Sequence, residues 1–307
     1  MTALRLRAAT RGSALARWQT DHVAGLLVSA GAARGVEVTV EAVVVETTAD
    51  VRLDIPIWEM GGKGVFVKEV QAAVLDGRAD IAVHSGKDLP ALTPDALVLA
   101  AVPERADARD VLIGSTLDGL RPGAMVATGS VRRRAQLAWL RPDLTFAGLR
   151  GNIATRLSKA AQFDAIVMAA AALDRLDLDL GDRVVEVLDP AVMLPQVAQG
   201  ALAVECRADD DSGRELLSAI EHAASRVAVD AERAFLAELG GDCDLPAGAY
   251  AIIAGETLVI EALLASMDGH TLLRERRSGV GADGPRLGRE LARFLLDDSG
   301  GSSLLDR

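Results

Sequence analysis

The chain of 307 residues contains little cysteine and few aromatic side chains. Its two cysteines, Cys206 and Cys243, stand 37 positions apart, with no C-x-x-C motif and no histidine near them. This spacing argues against a zinc site and, in a reducing compartment, against a structural disulfide. Aromatic residues make up 3% of the chain, too few to alternate with basic residues as they do in single-stranded nucleic-acid binders.

The chain also lacks long apolar runs. Its first residues, MTALRLRAAT, contain no hydrophobic stretch typical of a signal peptide, and no later run reaches membrane-spanning length. We therefore expect a cytoplasmic protein with no membrane contact. Hydrophobic residues form 50% of the chain and charged residues 25%, as in ordinary globular proteins, and the length suits two or three domains.

Positive charge is scarce overall and uneven in kind. The net charge of −11 argues against nucleic acid as a partner, so any anion site has to be a local cluster. The chain has 29 arginines and only four lysines, of which Lys63, Lys68 and Lys87 lie within 25 positions. These three lysines either serve a function or lie by chance on solvated helix faces.

Short apolar runs alternate with helical patterns from the start of the chain to about residue 190, which is typical of α/β architecture with largely parallel sheets. A similar series begins again near residue 105. From about residue 223 a helix is followed by alternating strands and a final amphipathic helix near 285–297. We predict two doubly wound α/β lobes, similar to those of periplasmic binding proteins, and a smaller C-terminal α+β domain. The predicted domains are 1–104 with 200–220, then 105–199, then 221–307.

Within this frame, the patterns predict individual elements. The predicted strands are 4–9, 36–47, 79–85, 124–129, 145–149 and 164–170. The predicted helices are 13–31, 64–77, 130–140, 152–161 and 226–239. Polar residues follow several of these strands, and ligands of open α/β sheets bind beyond the carboxyl ends of strands.

Two of these junctions lie in the first lobe. In ATRGSALARWQ, Arg11 and Ser13 precede a helix whose free N–H groups attract anions, although Ser13 taken alone is better explained as a plain N-cap of that helix. In HSGKDLP, Lys87 and Asp88 end a buried strand, and a structural ion pair explains them about as well as catalysis does.

The other two junctions lie in the second lobe. The stretch ATGSVRRRAQ opens a helix with three arginines, which oppose the helix dipole and therefore favour anion binding. In LRGNIATR, Arg150 ends a strand and Arg156 lies one turn into the next helix. No Walker or dinucleotide-binding glycine motif accompanies them, so carboxylates are favoured over phosphates.

Together the junctions predict a cationic crevice with one obvious acid, Asp88. Such a crevice suits a ligand with several carboxylates, because each buried anion needs a charged hydrogen-bond partner. The ionised Asp88 would be suited to stabilise a cation that develops on the substrate. The cationic residues of the predicted crevice are Arg11, Lys87, Arg132, Arg133, Arg150 and Arg156.

Six stretches in register resemble the porphobilinogen deaminase (hydroxymethylbilane synthase) family over nearly the whole chain. They are TRGSALARWQ, GGKGVFVKE, ADIAVHSGKDLP, LRGNIATRLSKA, LPQVAQGALAVECR and AERAFLAELGGDCDLPAGAYA. The resemblance implies three domains, with the active site between the first two. It also implies a transferase that joins four porphobilinogen molecules head to tail, releasing ammonia, to give hydroxymethylbilane for tetrapyrrole biosynthesis. Chain growth in this family starts on a dipyrromethane cofactor, held by a thioether to a loop cysteine whose position Cys243 occupies.

The resemblance also implies roles for individual residues. Asp88 would be the catalytic residue, bonding pyrrole N–H groups and stabilising the azafulvene-like cation formed when ammonia leaves. Lys63 and Phe66 would belong to the active-site loop. The carboxylates of the cofactor would be held by Lys87, Ser130, Arg132, Arg133 and Arg156. The substrate or the growing chain would be contacted by Arg11, Ser13, Gln19, Ser85, Arg150, Arg175 and Gln199.

Four positions depart from the usual pattern of the family. Gly86 replaces methionine and loosens the backbone beside the catalytic acid, while Gly129 removes a hydroxyl that could bind the cofactor. Ala198 replaces glycine and disfavours a positive φ, and Asp242 replaces glycine directly before the cysteine. These departures leave open a diverged paralogue with weak or altered activity. A non-catalytic binder of small polycarboxylates shares the two-lobed architecture.

We expect no metal, no nucleotide and no flavin. Cys206 lies on an apolar run and is expected to be a buried core thiol. The acidic neighbours of Cys243 argue against a fast thiolate, but a cysteine that only tethers a cofactor reacts once. A monomer is what the family resemblance implies.

Overall fold

The computed structural model describes residues 2–48, 64, 66–240 and 245–305. In these ranges, thirteen strands form three sheets, two of five strands and one of three. Two of the predicted site residues, Lys63 and Cys243, lie outside the described residues, as does Asp242.

The first sheet has the strand order β2-β1-β3-β10-β4. Its strands are β1 (Thr2–Arg11), β2 (Val36–Val45), β3 (Ile81–Ser85), β4 (Leu97–Ala101) and β10 (Leu202–Arg207). β1 runs parallel to β2 and β3, whereas β10 runs antiparallel to both of its neighbours. The associated helices are α1 (Ala14–Ala33), α2 (Lys68–Leu75) and α6 (Asp211–Ser218).

The second sheet repeats this arrangement with the order β7-β6-β8-β5-β9. Its strands are β5 (Asp110–Ile113), β6 (Met125–Ala127), β7 (Thr145–Ala147), β8 (Ala165–Ala169) and β9 (Val185–Leu188). In both sheets, the one strand that opposes the others follows a crossover from the other lobe: β5 here and β10 in the first sheet. The helices are α3 (Val131–Leu140), α4 (Ile153–Ser158) and α5 (Ala170–Arg175).

The C-terminal unit is an antiparallel three-stranded sheet covered by two helices. It contains α7 (Ala223–Glu238), β11 (Ala247–Ala254), β12 (Thr257–Ala265), β13 (Leu272–Val280) and α8 (Gly284–Arg293). α7 and α8 pack on each other and on the sheet, where Phe235, Leu264 and Leu291 are fully buried. The burial of such side chains against the sheet supplies most of the stability of this unit.

The fold class predicted from the sequence is confirmed, since two α/β sheets of equivalent order are joined to a smaller α+β unit. Four strands had no predicted counterpart: β4, β5, β9 and β10. β5 has only four residues and directly follows a charged stretch, and both valines of the four-residue β9 are exposed, so neither shows a clear strand pattern. The domain boundaries remain a prediction.

A buried carboxylate joins the C-terminal unit to both crossovers between the lobes. Glu232 on α7 forms an ion pair with Arg105, with 2.6 Å between Oε1 and Nη1. Its two oxygens also accept hydrogen bonds from the backbone N–H groups of Ala198 and Ala251, each at 2.7 Å. One side chain therefore fixes residue 105 and residue 198, which lie on the two connections between the lobes.

Within the described ranges, no helix has both the length and the apolar composition needed to cross a membrane. The same residues contain no group of three or more histidine, cysteine, aspartate or glutamate side chains able to hold a metal ion.

Candidate functional site

The predicted polar junctions all lie at the carboxyl ends of strands. Arg11 ends β1, and a short 3-10 turn, Gly86–Asp88, follows β3. In the second lobe, Ser130 follows β6 and starts α3, while Arg150 follows β7. Because parallel strands bring these ends to one edge of each sheet, the two lobes present charged side chains to each other.

Arg132 and Arg133, at the start of α3, are buried and share one carboxylate. Arg132 Nη2 lies 2.7 Å from Asp110 Oδ2, and Arg133 Nη2 lies 2.8 Å from Asp110 Oδ1. Arg132 Nη1 also donates to the carbonyl of Leu194 at 2.5 Å, and Arg133 Nη1 donates to the carbonyl of Val167 at 3.0 Å. The arginines are therefore oriented before any ligand binds.

Asp110 corrects the prediction of a single acid at the site. Burial of this carboxylate acts to raise its pKa, but Arg132, Arg133 and a hydrogen bond from Gln199 lower the pKa to about 2. It is fully buried at the first position of β5. The sequence signal is an acid immediately before an apolar run, at the end of the charged stretch 103–110 near the predicted start of the second lobe.

Gln199 connects the two lobes through its side-chain amide. Its Nε2 donates to the carbonyl of Ala108 at 2.7 Å and to Asp110 Oδ1 at 2.8 Å. Its Oε1 accepts from Lys87 Nζ at 3.3 Å and from Arg133 Nη2 at 3.4 Å. The turn Gly86–Asp88 of the first lobe and the arginines of the second thus meet at one amide.

Burial and mutual repulsion lower the pKa values of two cations in this cluster. Burial, and then Arg133, lower the pKa of the Lys87 ammonium to about 8. Burial, followed by Arg133 and Arg150, lowers the pKa of Arg156 to about 10, while its Nε donates to the carbonyl of Gly151 at 2.8 Å. Such shifts show positive charge that the protein leaves incompletely compensated.

Asp88 and Ser85 flank this cluster on the first lobe. Asp88 is half-buried in the same turn as Lys87, and its negative charge acts to raise the pKa values of both Lys87 and Arg156. Ser85 is also half-buried and is the last residue of β3, in register with Leu202 of β10.

The start of α1 contributes a separate group of residues. The Ser13 hydroxyl accepts a hydrogen bond from the N–H of Ala16 at 3.2 Å, so the serine does cap this helix. The Arg11 guanidinium lies over the Phe66 ring, 4.5 Å from its centroid. Gln19 is 3% exposed, and its Nε2 has no hydrogen-bond partner among the described residues.

Arg175 and Arg150 differ from each other in their surroundings. Arg175 Nη2 donates to the carbonyl of Gly200 at 2.6 Å, and its guanidinium lies 5.6 Å from the ring centroid of Trp18. Burial lowers the pKa of Arg175 to about 10. Arg150 is half-buried at the end of β7, and burial lowers its pKa as well.

The remaining sequence features also have definite positions. Ser130 caps α3 by accepting from the N–H of Arg133 at 3.4 Å. Lys68 is exposed on α2, as a solvated helix residue would be. Cys206 is fully buried and free, and burial raises the pKa of its thiol to about 11, in agreement with its predicted place in the core.

Two of the departures from the family pattern, Gly129 and Ala198, lie where the backbone geometry is unusual. A Cβ on Gly129 would lie 2.8 Å from the carbonyl oxygen of Leu149, so a close backbone approach explains this glycine. Ala198 adopts a φ of 56°, in the left-handed region, although alanine disfavours that conformation.

The cluster suits a ligand with several carboxylates. Lys87, Arg132, Arg133 and Arg156 face two acids, Asp88 and Asp110, so positive charge is in excess. Arg132 Nε is buried and has no hydrogen-bond partner in the described part of the chain. A partly desolvated cation binds a carboxylate strongly, because little further dehydration is needed.

Two family models match the chain. One, described as porphobilinogen deaminase, dipyrromethane cofactor binding domain, matches residues 6–215. The other, described as porphobilinogen deaminase, C-terminal domain, matches residues 227–297. Together they account for most of the length of the chain.

Several curated proteins are similar along their whole length. The porphobilinogen deaminase of Nitratidesulfovibrio vulgaris (strain DSM 19637 / Miyazaki F) is 45% identical over 308 residues, covering 97% of this chain and 95% of the relative. That of Roseiflexus castenholzii (strain DSM 13941 / HLO8) is 46% identical over 301 residues, covering 96% and 97%. Among solved structures, lipoprotein Tp32 from Treponema pallidum matches at 11% identity and a TM-score of 0.41, covering 71% of this chain and 90% of that one. A score at that level carries no argument about function.

Proposed function

Since the chain belongs to the porphobilinogen deaminase family, we propose that the cationic cluster around Gln199 is the site where it condenses porphobilinogen. Members of this family are deaminating transferases of tetrapyrrole biosynthesis, and so is this chain. The reaction joins four porphobilinogen molecules head to tail, with release of ammonia, to form hydroxymethylbilane.

The observation that carries the proposal is the convergence of Lys87 and Arg133 on one amide oxygen, with Lys87 Nζ at 3.3 Å and Arg133 Nη2 at 3.4 Å from Gln199 Oε1. The excess of buried positive charge opposes folding unless anions are present or the charges are held by the scaffold. Each porphobilinogen bears an acetate and a propionate, so every added unit brings two carboxylates to this cluster. A site for a neutral or cationic ligand would not concentrate charge of this sign.

The residues at the start of α3 fit the dipyrromethane cofactor of the family. Its carboxylates match the ammonium of Lys87 and the guanidinium of Arg156, whose pKa values burial and neighbouring arginines lower. When bound, the cofactor supplies the primer on which chain growth starts. We assign its carboxylates to Lys87, Ser130, Arg132, Arg133 and Arg156, and its covalent attachment to Cys243.

Asp88 is the catalytic residue of this proposal. Its carboxylate is half-buried at the end of β3 and lies beside Lys87 and Arg156, where it can accept hydrogen bonds from pyrrole N–H groups. A fixed negative charge in a partly dehydrated cleft stabilises the positive charge that develops on the substrate as ammonia leaves. The same carboxylate is placed to accept and return a proton.

Incoming substrate and the growing chain are assigned to residues around the cluster. Gln19 supports this assignment, because its Nε2 lacks a partner in the described ranges, and the half-buried Arg150 supports it through its lowered pKa. Phe66, beneath Arg11, and Lys63 are assigned to the active-site loop. The substrate-contacting residues are Arg11, Ser13, Gln19, Ser85, Arg150, Arg175 and Gln199.

Intact mass and ammonia release together test the proposal. The wild-type protein should carry a dipyrromethane mass increment that is lost in Cys243→Ala and retained in the control Cys206→Ala. Asp88→Asn should keep the increment but lose ammonia release from porphobilinogen by about 10²-fold or more. A folded wild-type protein without the increment, or an Asp88→Asn variant with wild-type rates, would overturn it.

The monomeric state and the cytoplasmic location are further proposals that rest on the sequence. Sedimentation velocity at several concentrations measures the first, and fractionation of the source cells measures the second.

A further inference from the structure

Ala198 has an unusual backbone conformation at a fully buried position. Its φ is 56°, and it is one of only two non-glycine residues with positive φ in the part of the chain that the structure describes. This region is strained for alanine, because Cβ approaches the following carbonyl group. Such conformations persist only where the surroundings hold them in place.

Two hydrogen bonds hold Ala198 in this conformation. Its N–H donates to Glu232 Oε2 at 2.7 Å, and its carbonyl accepts from the N–H of Ala201 at 3.1 Å. The carbonyl of Ala201 in turn accepts from the N–H of Gly86 at 2.9 Å. The segment 198–201 is thus tied both to α7 and to the turn that follows β3.

The Cβ of Ala198 occupies space that a side chain on residue 86 would need. A Cβ built on Gly86 would lie 3.1 Å from Ala198 Cβ, 3.2 Å from the Ala198 oxygen and 3.3 Å from the Ala201 oxygen. All three neighbours are backbone or Cβ atoms, which cannot rotate away as the end of a long side chain does. Alanine at 198 is therefore accommodated because residue 86 is glycine.

This contact lies immediately before two residues of the cationic cluster. Gly86 precedes Lys87, Ala198 precedes Gln199, and Lys87 Nζ lies 3.3 Å from Gln199 Oε1. A displacement at the contact therefore moves Lys87 and Asp88 relative to Gln199 and to Asp110, which Gln199 binds.

We propose that Gly86 and Ala198 form a positioning pair, whose close contact sets the distance between the turn with Lys87 and Asp88 and the segment with Gln199. The inference rests on the proposed function of that cluster. A pair of this kind explains how the two departures from the usual residues occur together, because the missing side chain at residue 86 leaves room for the Cβ of Ala198.

A double-mutant cycle tests the pair with Gly86→Ala, Ala198→Gly and the double variant. Gly86→Ala should lower kcat of the cofactor-loaded protein about tenfold with a smaller change in KM, because misplaced catalytic groups slow the chemical step. Adding Ala198→Gly should restore part of that loss, because it removes the nearest of the three neighbours and leaves the Ala198 and Ala201 oxygens in place. The control is Gly25→Ala in α1, where a Cβ meets nothing within 4 Å.

A second readout does not depend on catalysis. The pH midpoint for acetylation of the Lys87 amine in the apoprotein, read by peptide mass, should shift in Gly86→Ala and return in the double variant. Lys159, one of the four lysines, serves as the internal reference and should not shift. If the wild-type protein releases no ammonia from porphobilinogen, the proposed function is wrong. The pH midpoints of Lys87 acetylation in the single and double variants still test the positioning pair.

Two results would overturn the pair. One is a cofactor-loaded Gly86→Ala protein that unfolds at a lower temperature but keeps the wild-type kcat and the wild-type pH midpoint of Lys87 acetylation. The contact would then affect only the stability of the protein. The other is a double variant whose kcat and pH midpoint of Lys87 acetylation are no closer to wild type than those of Gly86→Ala alone.

Discussion

Asp110 shows how a single buried residue organises the charges around it. The side chain has no exposed surface, yet it remains ionised, because Arg132 and Arg133 each pair with one of its oxygens. Removing one partner from a buried ion pair leaves an uncompensated charge, which costs far more than an exposed pair contributes. The carboxylate therefore keeps both guanidinium groups in fixed orientations.

Lys87 predicts a pH limit for cofactor loading. Because burial and Arg133 lower the pKa of its ammonium to about 8, the amine loses its charge as the pH rises through 8. Loading of the apoprotein, measured by intact mass after incubation with porphobilinogen, should therefore fall above about pH 8. Deprotonation of a thiol acts in the opposite direction, since it favours thioether formation as the pH rises.

The control for this pH limit is Lys87→Arg. A guanidinium keeps its charge throughout the range tested, so the alkaline decline should move to higher pH in this variant. A decline at the same pH in Lys87→Arg would show that another group is responsible.

At the scale of elements, the arginines at the start of α3 oppose the dipole of that helix. Arginines in the first turn are unfavourable there, and Ser130 and Asp110 offset them by a cap and by two ion pairs. The sequence identified this conflict and used it to predict anion binding. The internal carboxylate was not identified, since Asp110 follows other charged residues and only burial distinguishes it.

The turn between β6 and α3 gives a prediction at this scale. Gly129→Ser should lower the free energy of unfolding by about 1–3 kcal/mol, because its Cβ would lie 2.8 Å from the Leu149 oxygen and displace the start of α3. Urea denaturation measures the change, and cofactor loading should fall with it.

Gly148→Ser is the matched control, one residue before Leu149. Gly148 is exposed, and a Cβ there meets nothing within 4 Å, so the free energy of unfolding should change by less than about 0.5 kcal/mol. Equal losses in both variants would contradict the backbone contact as the cause.

At the scale of the whole molecule, Glu232 links the C-terminal unit to the two crossovers. Its ion pair with Arg105 and its bonds to Ala198 and Ala251 lie in the buried junction. Arg105 Nε also donates to the carbonyl of Gln199 at 2.8 Å, so the junction continues into the candidate site. The C-terminal unit thereby helps to fix the relation between the lobes.

Glu232→Gln should lower the free energy of unfolding by about 3–5 kcal/mol, because Arg105 would stay buried without its counterion. Urea denaturation measures this loss. Glu238→Gln on the same helix is the control: its partner Arg293 has a side chain 60% exposed, so the loss should stay below about 1 kcal/mol. Similar losses in the two variants would show that the buried junction is not the source.

By itself the sequence determined the fold class, the main alternation of strands and helices, and the polar residues at the strand ends. These depend on local periodicity and on short motifs, which involve residues close together in the sequence. It also pointed to a ligand with several carboxylates, since arginines at a helix start are locally unfavourable and suggest another purpose.

Only the tertiary structure decided which residues meet within the second lobe and across the two lobes. Asp110 with Arg132, Gln199 with Lys87, and Ala198 with Gly86 are all far apart in sequence, and their separations depend on how the sheets pack. A pKa near 8 for Lys87 likewise follows from burial and from Arg133 of the other lobe. Periodicity predicts the elements, whereas charge, steric contact and burial at a site are properties of their assembly.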